Sequence, residues 1–527
     1  MSIQNLRGSV FAISLFLGAS GLCQSGAPNS GLREIRVDAA KVKGTIRSFQ
    51  GVNGVPTPIM KGLPNLEQQY KDLHIDVIRT HDTMGPTDIS AHFSIDNALL
   101  AWLVPDTAQR QKLVEAGNAA TIFPDWSADP EKPESYNFGP TDKVIEGIRA
   151  TGAQVYFRIG RSFGADYTEL PDLDKFAAVV KHVAMHYDRG WGNGLPGAIQ
   201  YWEFWNEEDL PFFWNDPPET FYRLYEKTAR ALKVVDPTIR VGAGAKALAY
   251  DGGPYREGLL DYCAAHKVPL DFYSWHHYAL TSADPYDFNR IGSEIRRILD
   301  EHGFRKAESV LSEWNLTPDF TEPERLRLQG IENAAFIGDV LIYLQDSTLN
   351  IVQFYRADAA WMGLFSLKGK YFKPAYTFLA AGKMLATPER LELSGADTIG
   401  LAALTGRSKD GKSVQILISN YEVPANYQPR PMLPPEGAAP KNVPMPDFSK
   451  MKSLPPRKDI HYQDNRGFHL FVRGLPWGKG VFSVRRYRLT ASEDLVPVAE
   501  TSAAGGQFEL SDELPPPGLE LIVLTSK

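Results

Sequence analysis

Glu207, in the run Tyr201-Trp-Glu-Phe-Trp-Asn-Glu-Glu-Asp209, and Glu313, in Ser309-Val-Leu-Ser-Glu-Trp-Asn315, each close a short apolar and aromatic stretch. Such a stretch reads as a strand handing over to a loop. Two carboxylates presented from the ends of separate strands can divide the work of retaining glycoside hydrolysis, one protonating the leaving oxygen and the other attacking the anomeric carbon. That chemistry sets a distance between the carboxyl groups: roughly 5 Å for retention, roughly 9 Å for inversion.

The two-residue period of a strand puts Tyr201, Glu203, Trp205 and Glu207 on one face and Trp202, Phe204 and Asn206 on the other. Where the strand ends the alternation lapses, so Asn206 and Glu207 can both reach its mouth. Glu207 would then protonate a leaving oxygen while Asn206 holds a neighbouring sugar hydroxyl. The surrounding tryptophans and phenylalanine limit the solvation of Glu207, which raises its pKa as a general acid needs. Most glutamates in any chain are solvated surface groups, and a perturbed carboxylate is only a probabilistic marker of a site. Two of them on the fourth and seventh of a series of strands is a much rarer pattern.

The elements that must position this pair alternate regularly. Eight apolar runs read as strands, at 47–53, 77–81, 154–159, 199–205, 240–245, 271–276, 309–313 and 351–355. Helical stretches lie between and after them, at 67–73, 142–150, 173–186, 218–235, 256–266, 291–302, 324–344 and 371–385. The pattern predicts an α/β fold, a (β/α)8 TIM barrel over 45–388. In the fourth helix Asp216 is the expected cap, Pro217 and Pro218 suit the first turn, and Phe221, Leu224, Tyr225, Ala229 and Leu232 share one face. An excursion over 84–138, partly apolar at 98–104, is a candidate wall of the pocket. Beyond about 390 the texture turns to short β-like runs, at 399–404, 413–419, 468–472, 481–489 and 519–524. With residues 30–44 these predict an accessory antiparallel β-sandwich over 389–527. Within it, 422–457 is proline-dense and aperiodic, a long irregular loop.

Composition narrows the function. The chain has 527 residues, 43% of them hydrophobic, and a net charge of −7, with no basic excess for nucleic acid. Arg7, the apolar run 10–17 and the small residues Ala19, Ser20 and Gly21 read as a signal peptide within 1–27. Export to the periplasm or the exterior is therefore expected, and the apolar run is too short for a membrane span. Leu22 before Cys23 fits a lipoprotein cleavage site poorly. With only Cys23 and Cys263, no disulfide is expected. The eleven histidines are scattered and His276 and His277 point to opposite faces of a strand, so no metal and no cofactor are expected.

These residues together resemble clan A glycoside hydrolases, and within them glycoside hydrolase family 39. Glu203-Phe-Trp-Asn-Glu207 is similar to that family's acid/base motif Glu-Val-Trp-Asn-Glu-Pro, and Ser312-Glu-Trp-Asn315 to its nucleophile segment. Glu208 stands where the motif has proline. Val77-Ile-Arg-Thr-His81 resembles the second strand, followed here by Asp82 instead of glycine. Asp271-Phe-Tyr-Ser-Trp-His-His-Tyr278 resembles the sixth, and 222–237 the Tyr-x-Leu-Tyr helix ending in Val-Asp-Pro. The resemblance implies that Glu207 is the acid/base and Glu313 the nucleophile. It places His81, His276 and Tyr278 near the sugar, with Tyr278 hydrogen-bonded to the nucleophile.

Other residues carry two readings. His276 is either a satisfied rim histidine or part of the site. Arg158 and Arg161 either bind substrate or form structural salt bridges, the commoner case. Trp361 is either a stacking platform for a sugar or core. The resemblance implies a secreted retaining β-xylosidase acting on xylo-oligosaccharides. Its rivals are another family 39 specificity (α-L-iduronide, α-L-arabinoside, β-galactoside or an endo-cleaved polysaccharide) and a non-catalytic carbohydrate-binding protein. The oligomeric state is not legible.

Overall fold

Short runs that are buried on both faces form the wall of a closed parallel barrel. The computed structural model describes residues 32–97, 100–101, 104–162, 172–211, 213–279, 283–318, 322–424, 454–457 and 466–527. The first strand, β1 (Leu32–Thr45), lies outside the barrel. The barrel is made by β2 (Gly51–Asn53), β3 (Val77–Thr80), β4 (Gln154–Ile159), β5 (Tyr201–Phe204), β6 (Arg240–Lys246), β7 (Phe272–Tyr278), β8 (Glu308–Asn315) and β9 (Ile351–Phe354). Each strand pairs in parallel with the next, and β9 closes onto β2 through Gly51 opposite Gln353 and Val52 opposite Phe354. All eight are the runs that the alternation predicts.

The helices between the strands cover this wall. The helix Pro218–Val235 buries Phe221, Leu224, Tyr225, Ala229 and Leu232, the expected face. Its cap position falls on Pro217, not Asp216, and no side chain caps it there; the fixed φ of consecutive prolines starts the helix instead. The single helix expected over 324–344 is two, Glu322–Gln329 and Ile331–Tyr343, broken at Gly330, whose backbone is extended (ψ −177°).

The accessory part is β1 with β10 (Glu389–Ser394), β11 (Leu401–Arg407), β12 (Ser413–Asn420), β13 (Gly467–Arg473), β14 (Val481–Leu489), β15 (Asp494–Ala504), β16 (Gln507–Glu513) and β17 (Gly518–Ser526). They form one nine-stranded sheet in the order β15-β14-β17-β12-β11-β10-β1-β13-β16, not two separate sheets. It is antiparallel except where β1 runs parallel to β13. The sheet curls onto itself: Phe482 on β14 and Phe508 on β16, far apart in strand order, bring their rings to 6.3 Å. One core of Ile35, Val37, Ile416, Leu470, Val484 and Ile522 fills the fold. The other face of β11, β12 and β17 packs through Ala402, Leu417 and Leu521 on Ala334, Ile342, Ala380 and Met384 of two barrel helices.

The signal-peptide reading and most of the proline-dense segment lie outside the described residues. At that segment's end, Arg457 pairs with Asp284 at 2.6 Å, and Arg290 donates to the Pro455 carbonyl at 2.9 Å. No described helix is long and apolar enough to cross a membrane.

Candidate active site

The carboxyl ends of the barrel strands bring the two glutamates together. Strand β5 stops at Phe204 because Trp205 (φ +71°) and Glu207 (φ +47°) both turn into the left-handed region, which is costly for side-chain-bearing residues. This double turn is what breaks the two-residue period. The loop is then stapled to the end of β6. The Glu207 amide donates to the Ala245 carbonyl at 2.9 Å, and Asp209 accepts from the amides of Ala247 and Leu248 and from Lys246 Nζ. Trp205 is anchored by its indole N–H on the Phe213 carbonyl. Glu203, on the other side of the turn, points into the barrel and accepts from the Tyr156 hydroxyl at 3.2 Å.

Glu313 sits in β8 opposite His276 of β7. Its Oε2 accepts from the Tyr278 hydroxyl at 2.9 Å and its Oε1 from Arg79 Nη1 at 2.7 Å. Arg79 is fully buried. Its Nε reaches Glu203 Oε2 at 2.5 Å, its Nη1 also reaches Asn53 Oδ1 at 3.1 Å, and its Nη2 donates to Asn206 Oδ1 at 2.9 Å. His276 Nδ1 lies 2.9 Å from Glu207 Oε1 and 3.6 Å from Glu313 Oε2. One oxygen of Glu207, one of Glu313 and a nitrogen of His276 all fall within 4.8 Å of one another. That proximity is on the scale of the roughly 5 Å separation of a retaining pair and shorter than the roughly 9 Å of an inverting one.

Electrostatics separates the two carboxyls. Burial, and then the nearby charge of Glu313, push the Glu207 pKa well above the usual carboxylate range. Burial also raises Glu313, to about 7, while Arg79 and the Tyr278 hydroxyl pull it back toward ionisation. The first proton therefore settles on Glu207 and leaves Glu313 as the anion, the division of labour that acid and nucleophile require. Burial and the Arg79 charge hold His276 and His81 neutral.

The fold gathers most of the residues singled out in the sequence. Asn206 meets Arg79, Tyr278 meets Glu313, and His276 meets Glu207. His81 Nε2 lies 3.4 Å from Glu313 Oε1 and 3.5 Å from Asp82 Oδ1. Trp361, in the stretch after β9, is 39% exposed, with Arg325 over its ring at 5.3 Å and its carbonyl accepting from Gln329. His277 turns outward against Phe288. Arg158 is a buried salt bridge, 2.7 Å from Asp88 in the excursion after β3. Glu208 is buried with no hydrogen-bond partner for either oxygen among the described residues, and burial raises its pKa well above the usual range.

Sequence reasoning missed Arg79, Glu203, Asn53 and the pair Tyr355 and Arg356, which lie 2.6 Å and 3.8 Å from Asp82 Oδ2 beside His81. Only the convergence of distant strands identifies them. The grouping of His276 with two glutamates, which the scattered histidines did not announce, has the composition of a metal site. The Arg79 guanidinium on Glu313 already supplies the positive charge that a cation would bring.

The profile of Glycosyl hydrolases family 39 matches residues 133–354. A β-xylosidase of Geobacillus stearothermophilus is 28% identical over 181 residues, covering 31% of this chain and 34% of that protein. A β-xylosidase of Caldicellulosiruptor saccharolyticus is 25% identical over 305 residues, covering 52% of this chain and 58% of that protein. The chain thus spans about a third and somewhat over half of these curated relatives. Among solved structures, a glucosidase from Croceicoccus marinus superposes with a TM-score of 0.80 at 31% identity, covering 94% of this chain and 99% of that one. A monomeric β-xylosidase from Caulobacter crescentus shares the fold, with a TM-score of 0.65 at 17% identity over 94% and 99% of the two chains.

Proposed function

Because the chain belongs to glycosyl hydrolase family 39, we propose that it is a retaining glycoside hydrolase that removes a β-D-xylosyl unit from the non-reducing end of xylo-oligosaccharides. The observation that carries this reading is the carboxyl pair itself, with oxygens of Glu207 and Glu313 within 4.8 Å. Arg79 and Tyr278 hold Glu313 as an anion aimed at the anomeric carbon. Glu313 attacks and forms a glycosyl ester, while Glu207 passes its proton to the departing oxygen. Glu207 then takes a proton from water, which displaces Glu313 and restores the starting configuration. Asn206, with its Oδ1 occupied by Arg79, is left to offer its amide N–H groups to the hydroxyl beside the reacting carbon.

The β-xylosidases among the relatives support the xylosyl assignment. A β-glucoside is the second reading, favoured by the 31% identity to a glucosidase over nearly the whole chain. The two glycones share their ring hydroxyls and differ by one hydroxymethyl group. A uronide fits less well. Asp82 places a third carboxylate beside His81, and the fork of Arg356 is taken up by Asp358 at 2.5 Å. A panel of 4-nitrophenyl glycosides, with the first-formed anomer followed by NMR, tests the assignment. The expected result is turnover of the β-xyloside or β-glucoside with the β-anomer released first; turnover of only iduronide or arabinoside, or release of the opposite anomer, contradicts it.

The leader-like pattern of residues 7–21 supports export as a further part of this proposal, tested by cell fractionation and the N-terminal sequence of the mature protein.

A further inference from the structure

Asp82 occupies a backbone position that glycine would fill without strain (φ +53°), yet it carries a carboxylate that is 4% exposed. Its Oδ2 accepts from the Tyr355 hydroxyl at 2.6 Å and lies 3.8 Å from Arg356 Nη1. Its Oδ1 lies 3.5 Å from His81 Nε2, and the same imidazole nitrogen is 3.4 Å from Glu313 Oε1. One imidazole edge thus separates Asp82 from the proposed nucleophile. Asp82 follows β3, and Tyr355 and Arg356 follow β9, the two strands that flank β2. Glu207, which would protonate the leaving group, comes from β5 across the barrel. A glycone held with its anomeric carbon over Glu313, and its leaving group toward Glu207, extends its other end toward Asp82.

We propose that Asp82 is a specificity-determining residue whose carboxylate accepts a hydrogen bond from a glycone hydroxyl remote from the reacting carbon. The proposal rests on the glycoside hydrolase reading above. An ionised carboxylate offers about four acceptor sites, so a hydroxyl can join the Tyr355 contact without displacing it. Tyr355 and Arg356 fix the carboxylate, and Asp358 fixes Arg356 in turn, packed so close under Gly54 that a Cβ there would fall 2.6 Å from Asp358 Oδ1. A hydroxyl arriving at this preformed group meets no reorganisation cost. The charge of Asp82 is also felt across the pocket, raising the pKa of both Glu207 and Glu313, which a hydroxyl donor at Asp82 would partly relieve.

The test compares the parent enzyme, Asp82→Gly and Asp82→Asn on the best 4-nitrophenyl glycoside and on its 3-deoxy and 4-deoxy analogues. Glycine suits the positive φ, and asparagine keeps an acceptor oxygen and tolerates the same backbone. The parent is expected to discriminate against one deoxy analogue. Asp82→Gly is expected to lose about 10- to 100-fold in kcat/KM on the full glycone, the worth of a hydrogen bond to a charged group, while leaving that analogue within about twofold. Asp82→Asn keeps part of the discrimination. Should Asp82→Gly fold poorly, a partial fall in discrimination in Asp82→Asn is the deciding reading. An equal fall on the full glycone and on every deoxy analogue means that Asp82 acts only through His81 and Glu313, and overturns the proposal. A parent that cleaves no glycoside overturns the underlying reading and this one with it, whereas an active parent with unchanged discrimination in both variants overturns this one alone.

Discussion

Arg79 Nη1 stands 2.7 Å from Glu313 Oε1, and the same guanidinium reaches Glu203 through Nε at 2.5 Å, with no part of the arginine exposed. Two carboxylates from β5 and β8 therefore depend on one cation from β3. Removing it leaves both buried without compensation, a situation that typically costs about 3–5 kcal/mol. Arg79→Met is expected to lose stability on that scale in denaturant unfolding. Arg79→Lys is expected to fold but to bind only part of the network, since an ammonium cannot reproduce the fork. Unchanged unfolding of Arg79→Met would contradict the network.

The pH dependence follows from the two raised carboxyls. Glu313 must be ionised to attack, so kcat/KM falls as pH drops through its pKa of about 7. Glu207 must be protonated, so activity also falls as pH rises through its own raised pKa. Tyr278→Phe deletes a hydrogen bond that favours ionised Glu313, and is expected to move the acidic limb of kcat/KM upward. A limb that stays in place or moves down rules out the assigned role.

Stability carries the opposite sign from the usual carboxylate. Between the unfolded value of 4.5 and about 7 the folded Glu313 binds more protons than the unfolded chain does, so its contribution falls as pH rises through that window. Glu313→Gln is expected to flatten the unfolding midpoint against pH over the same range. An unaltered profile in that variant means the shift is absent.

Glu207→Gln is expected to cost about 10²- to 10⁴-fold on glycosides with poor leaving groups, because only they need the proton in the first step. Dinitrophenyl glycosides should still form the intermediate in a burst, and azide should accelerate turnover to a glycosyl azide of retained configuration. An equal loss on good and poor leaving groups would remove Glu207 from the acid role.

The barrel seam makes a separate prediction. A Cβ on Gly51 would lie 2.3 Å from the Val352 carbonyl and 2.6 Å from Val77 Cγ1, so β2 cannot lie between β9 and β3 with a side chain there. Gly51→Val is expected to destabilise by about 3 kcal/mol or more, the upper range for overpacking. Wild-type stability in that variant would mean that the seam is looser than described.

The barrel was legible because parallel strands buried on both faces leave continuous apolar runs, and the helices between them carry a clean 3.6 period. Glu207 and Glu313 stood out because their aromatic runs mark strand ends. Arg79, Glu203 and Asn53 were not legible, since polar groups meeting inside a barrel are drawn from strands far apart in sequence. Strands β10, β15 and β16 were also missed: Glu389–Ser394 has only Leu391 and Leu393 as apolar residues, the apolar run of Asp494–Ala504 is interrupted by Pro497 and buries only Leu495, and Gln507–Glu513 alternates only Phe508 and Leu510 among polar residues. The double left-handed turn at Trp205 and Glu207 had no residue signature, because neither position is glycine.

The most direct measurement of the central claim is the mass of peptides from enzyme inactivated with a 2-deoxy-2-fluoro β-glycoside and a good leaving group. Retaining chemistry with Glu313 as nucleophile predicts one fluoroglycosyl ester per chain, on the peptide carrying Ser312-Glu313-Trp314. A label on Glu207, or rapid turnover without any covalent label and with inverted product, would contradict it.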